Sequence, residues 1–208
     1  MEHPIRVIGI GPGNPEHITP AAFNLIRTSD VLVGGERALR NFTFLGKESF
    51  TVRNNLAEMV DFIKKRRQNR ITAVLASGDP AFYGILEYLK RHFPKSELLV
   101  EPGLSSIQLA CARLAVSWHD AAFYSVHGRD AAGLVDLVKH FPKVIVLTGP
   151  DSTPAVIAER LLGAGITDRR IYVCENLSYE DERIGAYGIN EVPENIGLAG
   201  CVMVINNE

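Results

Sequence analysis

The sequence predicts an α/β protein with two sheets, and three observations support this prediction. Short apolar runs that suit buried strands alternate with segments of helical spacing, and turns rich in glycine and proline follow the strands. The alternation starts again in the second half, which predicts an N-terminal α/β domain at 1–117 and a C-terminal α/β domain at 118–208. The last strands have no strong helix between them. The first sheet is therefore expected to be mostly parallel and the second mixed.

Composition and charge exclude several classes of protein. The chain has 208 residues, of which 46% are apolar and 22% charged, as in ordinary globular proteins. Its net charge of −2 excludes intrinsic disorder and a broadly basic nucleic-acid-binding protein. The three cysteines are far apart and match no zinc pattern, so no metal site is predicted. No signal peptide or membrane-spanning run is recognisable, which favours a cytoplasmic protein that does not bind membranes.

The first half contains four strand–helix pairs. Ile5–Ile10 is an apolar run that ends at a glycine-rich turn, and Thr19 before Pro20 is typical of a helix start. The basic run Lys64–Arg67 suits the C-terminal end of a helix. The predicted strands are 5–10, 30–33, 71–76 and 98–100, and the predicted helices are 20–29, 56–67, 82–91 and 105–114.

The second half contains more strands than helices. The predicted strands are 123–126, 144–148, 171–175, 180–187 and 201–205, and the predicted helices are 131–140 and 154–162. The last two strands are joined by a loop, so hairpin-like antiparallel pairing is expected at the end of the second sheet.

Three glycine-bearing turns follow strand ends, at 11–13, 77–80 and 102–106. Ligands of parallel sheets bind outside the carboxyl ends of the strands, so these turns are expected to meet at one crevice. A dinucleotide site is excluded, because Asn14 stands where a glycine is needed and Pro12 and Pro15 lack backbone N–H donors. A P-loop is absent, since Gly46 and Lys47 are followed by Glu48.

Four motifs occur in a specific order along almost the whole chain: GIGPGNPEHIT, SGDPAFYG, EPGLSS and ENLSYEDERI. In this order and spacing the chain resembles the tetrapyrrole (corrin/porphyrin) methylases, which transfer a methyl group from S-adenosylmethionine. The segments VGGER and SVHGR are most similar to the subfamily that methylates carbon 5 of a corrin precursor, cobalt-precorrin-7 or its metal-free counterpart, in cobalamin biosynthesis. The resemblance implies two α/β domains with an active-site cleft between them, and a homodimer.

The resemblance also implies a set of contacts to S-adenosylmethionine. Glycine turns let a ligand approach the backbone, small hydroxyls can hydrogen-bond adenosine, and apolar side chains can form walls. The cofactor-binding residues implied are Ser77, Gly78, Asp79, Phe82, Ser105, Ser106, Thr148 and Leu177.

The substrate would carry many carboxylates, so arginines are expected to hold it. The substrate-binding candidates are Pro12, Arg37, Arg53, His127 and Arg129. For each charged candidate a surface or structural role is the alternative, and His127 is either a proton acceptor or a residue that packs in a turn. Methyl transfer from a sulfonium mainly requires alignment of donor and acceptor, so no catalytic base is assigned.

Two other functions stay open. A methylase of the same fold could act on ribosomal RNA or on a translation-factor side chain, although Lys64–Arg67 is the only dense basic run. A non-catalytic nucleotide sensor is the second alternative. Related proteins carry a fused domain that acts at carbon 15. Because this chain ends at Glu208, it is expected to be the stand-alone carbon-5 enzyme, with a separate carbon-15 methyltransferase/decarboxylase as a possible partner.

Overall fold

The structure is a computed structural model that describes residues 2–126 and 131–207. The chain divides into two compact units, residues 1–105 and 106–208. The division lies before helix α5 (Ser106–Leu114), whereas the sequence placed α5 in the first domain and the boundary after residue 117. Helix α5 contacts β10 (Val202–Asn207) of the second sheet, and for this reason it groups with the second unit.

The first unit is a five-stranded parallel sheet in the order β3-β2-β4-β1-β5, with helices on both faces. Its strands are β1 (Ile5–Gly9), β2 (Val31–Gly34), β3 (Glu48–Thr51), β4 (Thr72–Ala76) and β5 (Leu98–Glu101). Its helices are α1 (Pro20–Arg27), α2 (Glu36–Arg40), α3 (Leu56–Arg66) and α4 (Leu86–Leu89). The parallel sheet is as predicted.

Alternating side chains of the central strands fill two separate cores. On one face, Val7 and Val74 pack with α3 and α4, and on the other, Ile8 and Leu75 pack with α1 and α2. All five residues of β4 are buried, because a parallel sheet covered on both faces buries both sets of side chains. This explains why the strands are continuous apolar runs in the sequence.

Thr19 caps α1 as predicted, since its hydroxyl accepts a hydrogen bond from the amide of Ala22 at 3.1 Å. Two elements were missed, α2 and β3. The strand β3 lies at the sheet edge, is only half-buried and lacks an apolar run. The helix predicted over 82–91 is much shorter, because Tyr83 adopts φ +53 and the helix begins only at Leu86.

The second unit is a mixed five-stranded sheet in the order β6-β7-β10-β8-β9. The remaining elements are β6 (Ala122–Ser125), α6 (Leu134–His140), β7 (Lys143–Leu147), α7 (Pro154–Gly163), β8 (Arg169–Glu175) and β9 (Arg183–Gly188). The mixed sheet confirms the prediction, but the expected pairing of the last two strands with each other is wrong. Strand β10 pairs antiparallel with β7 and β8, and β9 pairs antiparallel with β8.

Candidate functional site

Three loops meet at the carboxyl edge of the first sheet, because they follow the adjacent strands β4, β1 and β5. The amide of Gly78 donates to the carbonyl of Gly11 at 2.7 Å. Gly9, Gly78 and Gly103 touch through their backbones: a Cβ on Gly9 would lie 2.7 Å from the oxygen of Gly78 and 2.5 Å from the nitrogen of Gly103. Such distances exclude any side chain there. The predicted convergence of the three turns is confirmed within this unit.

Asp79 holds the loops after β4 and β5 together. Its Oδ2 accepts from the amide of Gly103 at 3.2 Å, and its Oδ1 accepts from the amide of Ala81 at 2.8 Å in an Asx turn. Both carboxylate oxygens therefore hold backbone of the loops. This geometry gives Asp79 a positioning role.

Gly78 is the place where a ligand can approach the backbone of this edge. Its φ is +67, which favours glycine, and a Cβ added there would meet one non-neighbouring heavy atom within 4 Å, the Cα of Ser105 at 3.7 Å. Ser77 is exposed, Phe82 is half-buried with its ring 4.9 Å from that of Tyr83, and Ser105 is buried. The first unit thus brings five predicted cofactor residues, at 77, 78, 79, 82 and 105, to one edge.

Thr148 and Leu177 lie at one edge of the second sheet, where β7 and β8 end. The two strands are parallel to each other, since both pair antiparallel with β10, which lies between them. The Thr148 hydroxyl accepts from the amide of Cys201 at 2.8 Å and lies 3.2 Å from both the carbonyl oxygen and Sγ of Cys201. All three of these contacts are with Cys201, so the Thr148 hydroxyl links the end of β7 to the segment before β10.

Leu177 lies in a tight turn that acidic residues hold in place. Asn176 and Ser178 both have positive φ, at +48 and +74. Glu182 accepts from the amide of Ser178 at 2.7 Å and from Nε of Arg113 at 2.8 Å. The sequence missed Glu182, although its place in ENLSYEDERI, four residues after Ser178, was the available signal.

Ser106, another predicted cofactor contact, is the half-buried first residue of α5.

The thiols of this unit are protonated near neutral pH. Burial raises the pKa of Cys174 to about 12 and that of Cys201 to about 11, against a hydrogen bond with Thr148 that lowers the latter. A neutral buried thiol is a poor nucleophile.

Within residues 2–126 and 131–207, no group of three or more His, Cys, Asp or Glu side chains is arranged to hold a metal ion.

The predicted substrate residues lie at three places. Pro12 is half-buried in the loop after β1, Arg37 is exposed on α2, and Arg53 is exposed just after β3. Arg53 forms an ion pair with Glu36 at 3.5 Å. His127 and Arg129 lie outside the described residues.

Across the described part of the chain, no helix combines the length and apolar character that crossing a bilayer requires.

The chain has two α/β units, and glycine loops pack together at the strand ends of the first. This arrangement is typical of α/β proteins that bind small molecules. The chain belongs to the tetrapyrrole (corrin/porphyrin) methylases, whose family model matches residues 4–192. This membership confirms the resemblance found in the four motifs.

Three similar proteins are informative. The chain is 37% identical over 200 residues to the cobalt-precorrin-7 C(5)-methyltransferase of Salmonella typhimurium, covering 96% of this chain and 98% of that one. It is 36% identical over 194 residues to the probable cobalt-precorrin-7 C(5)-methyltransferase of Methanocaldococcus jannaschii, covering 90% of each. The crystal structure of precorrin-6Y methylase from Archaeoglobus fulgidus has a TM-score of 0.78 at 26% identity and 99% coverage of both chains.

Proposed function

We propose that the protein transfers a methyl group from S-adenosylmethionine to carbon 5 of a corrin precursor, cobalt-precorrin-7 or its metal-free equivalent, in cobalamin biosynthesis. The observation that carries the proposal is 37% identity to a C(5)-methyltransferase across nearly the whole of both chains. The glycine-lined edge of the first sheet supports it, because space for a small ligand is left beside Gly78, where a Cβ would meet only the Cα of Ser105 within 4 Å.

The residues of the first edge fit the methyl donor. Gly78 leaves space beside its Cα, Ser77 and Ser105 offer hydroxyls, and Phe82 offers an apolar surface. Asp79 keeps the loops of β4 and β5 in register around this space. Ser106, Thr148 and Leu177 of the second unit are retained as predicted cofactor contacts, because the family resemblance implies them.

When bound, S-adenosylmethionine would supply an activated methyl group: its bond to sulfur breaks with the electron pair going to sulfur, carbon 5 provides the electron pair of the new bond, and the ring then releases a proton to water. The chain's own contribution is to bind and align. Alignment of two reactants supplies about 7–11 kcal/mol in well-oriented systems, so these residues have no need to provide a base. Arg37 and Arg53 are proposed to bind carboxylates of the substrate, with Pro12 beside the ring, and His127 and Arg129 are further candidates.

A single-turnover assay with methyl-labelled S-adenosylmethionine tests the reaction. Cobalt-precorrin-7, its metal-free analogue and ribosomal RNA are offered in parallel, and label is expected on carbon 5 of a corrin ring. Label on RNA would replace this function by that of an RNA methylase. Binding of S-adenosylhomocysteine without label on any acceptor would retain the donor and refute the substrate.

Matched glycine variants test the donor site. Gly78→Ala places a methyl group where the ligand is proposed to lie, so affinity for S-adenosylhomocysteine is expected to fall at least tenfold. Gly165→Ala is the control, because Gly165 has a similar φ of +79 with no atom within 4 Å of its Cβ position. Equal affinities of the two variants would refute the role of Gly78. The expected homodimer is part of the proposal, and sedimentation equilibrium tests it.

A further inference from the structure

A second group of residues lies at the carboxyl edge of the first sheet, beside the glycine loops. Strands β2 and β3 form the other half of this sheet, and Glu36, Arg40 and Arg53 lie in the segments that follow them. The edge is continuous, because the amide of Val52 after β3 donates to the carbonyl of Gly34 at the end of β2, at 2.8 Å. Strand β2 is next to β4, so the segment that carries Glu36 and Arg40 follows a strand adjacent to one that carries a glycine loop.

The group is also tied to the loop that carries Pro12. Asn41, the residue after α2, donates from its side-chain amide to the carbonyl of Gly13 at 3.2 Å. Arg40 is the residue before Asn41, so it is next in sequence to a contact with the loop that carries Pro12. Glu36 and Arg40 also line a cavity of about 370 Å³, which extends to Lys47 before β3 and is not lined by Arg53. Lys47 also lines this cavity, but its ammonium group already donates hydrogen bonds to the carbonyls of Arg27 and Ser29.

One carboxylate is shared by two guanidinium groups. Glu36 Oε1 lies 3.5 Å from Arg40, and Oε2 lies 3.5 Å from Arg53. All three side chains are largely exposed, at 62% for Glu36, 72% for Arg40 and 75% for Arg53. Exposed pairs of this kind contribute about 0–1 kcal/mol, so stability does not account for the arrangement. An arginine can bind a carboxylate through two parallel hydrogen bonds. At 3.5 Å, Glu36 makes such a paired contact with neither Arg40 nor Arg53.

We propose that Arg40 and Arg53 form a subsite for a peripheral carboxylate of the tetrapyrrole substrate, and that Glu36 is a positioning residue which spaces the two arginines and gives way to the substrate carboxylate. Arg40 is thereby assigned as a specificity-determining contact. This inference rests on the proposed function, because that function brings a polycarboxylate ring to this edge of the sheet.

Substitutions separate the roles. Arg40→Gln and Arg53→Gln are each expected to raise KM for the corrin substrate about tenfold, equivalent to ~1.4 kcal/mol, with kcat within twofold. Glu36→Gln is expected to lower KM two- to threefold, because it removes the competing carboxylate. A purely structural role for Glu36 would raise KM instead. Arg91→Gln is the matched control, since Arg91 is exposed and lies on the connection back to the amino end of β5.

A direct binding measurement distinguishes failure of this subsite from failure of the proposed function. Uroporphyrin, which carries a carboxylate on every side arm, is titrated against each variant by fluorescence at low and high salt. Weaker binding by the Arg40 and Arg53 variants, with the difference reduced by salt, supports the subsite even where no methyl transfer occurs. Binding and KM equal to those of Arg91→Gln would overturn it, even where wild-type protein methylates carbon 5.

Discussion

Asp79 and Gly103 join two loops that follow different strands, because Oδ2 of Asp79 accepts the amide hydrogen of Gly103 at 3.2 Å. The other oxygen accepts from Ala81 within the loop itself. One carboxylate thus fixes both the shape of the loop after β4 and its distance from the loop after β5. A side chain that sequence alone would assign to a ligand has both oxygens engaged with the protein.

Asp79→Ala is expected to lower the free energy of unfolding by about 1–3 kcal/mol, because two backbone amides lose their acceptor. Asp79→Asn keeps one acceptor oxygen and is expected to lose about half as much. Urea denaturation measures both, and calorimetry measures the accompanying loss of S-adenosylhomocysteine affinity. Reduced affinity of Asp79→Ala without any loss of stability would instead indicate direct contact with the ligand.

Gly103→Ala tests the junction of three glycines. A Cβ there would overlap the carbonyl oxygen of Gly78 and lie 2.7 Å from the carbonyl carbon of Gly9, so the loops would have to separate. We expect a loss of at least ~2 kcal/mol in stability by urea denaturation. Gly163→Ala is the control, because no atom lies within 4 Å of its Cβ position at the end of α7. Similar stabilities for the two variants would contradict the close contact.

Thr148→Val tests the link between β7 and the segment before β10. Valine leaves the amide of Cys201 without its acceptor, which is expected to cost about 1–3 kcal/mol. Thr148→Ser retains the hydroxyl and is expected to cost less than ~1 kcal/mol. Thermal denaturation of the two variants compares them. If valine is tolerated as well as serine, the hydroxyl does not stabilise this edge.

The buried thiols predict a loss of stability at alkaline pH. Burial raises the pKa of Cys174 to about 12 and that of Cys201 to about 11 in the folded protein, whereas unfolded thiols titrate near their ordinary pKa of 9.0. The folded state therefore binds more protons above pH 9, and stability falls as the pH rises through that range. Below pH 9 both states are protonated and the effect is absent.

Urea denaturation at pH 8 and pH 10 measures this effect. The wild type is expected to lose ~1 kcal/mol per thiol more than the double variant Cys174→Ala/Cys201→Ala, in which the other titrating groups are unchanged. The comparison uses each protein's own change between the two pH values, so the cost of the substitutions cancels. Equal changes would show that the thiols are not buried in this way.

Local sequence was sufficient to predict the elements whose physics is local. The helix start at Thr19 and the fully buried strand β4 were both predictable from a capping residue and an apolar run. The half-buried edge strand β3 was not, because ESFT has neither signal. The insertion of β10 between β7 and β8 depends on contacts far apart in the chain. No local pattern specifies that pairing.

The candidate site was predictable to a similar extent. Glycine turns after strands indicated the loops around Gly78, and the convergence follows from parallel topology. The brace formed by Asp79 and the support of the Leu177 turn by Glu182 depend on which backbone amides approach each carboxylate. The pairing of Arg40 and Arg53 through Glu36 likewise needed the adjacency of β2 and β3, and β3 had been missed.

The central position of β10 has a consequence for synthesis on the ribosome. The first unit contains every strand of its own sheet by residue 101, so its sheet can form while the rest of the chain is still being translated. The second sheet has a gap between β7 and β8 until residues 202–207 leave the exit tunnel. Until then those two strands present unpaired backbone edges to other nascent chains and to chaperones, so the second sheet stays open to aggregation for longer than the first.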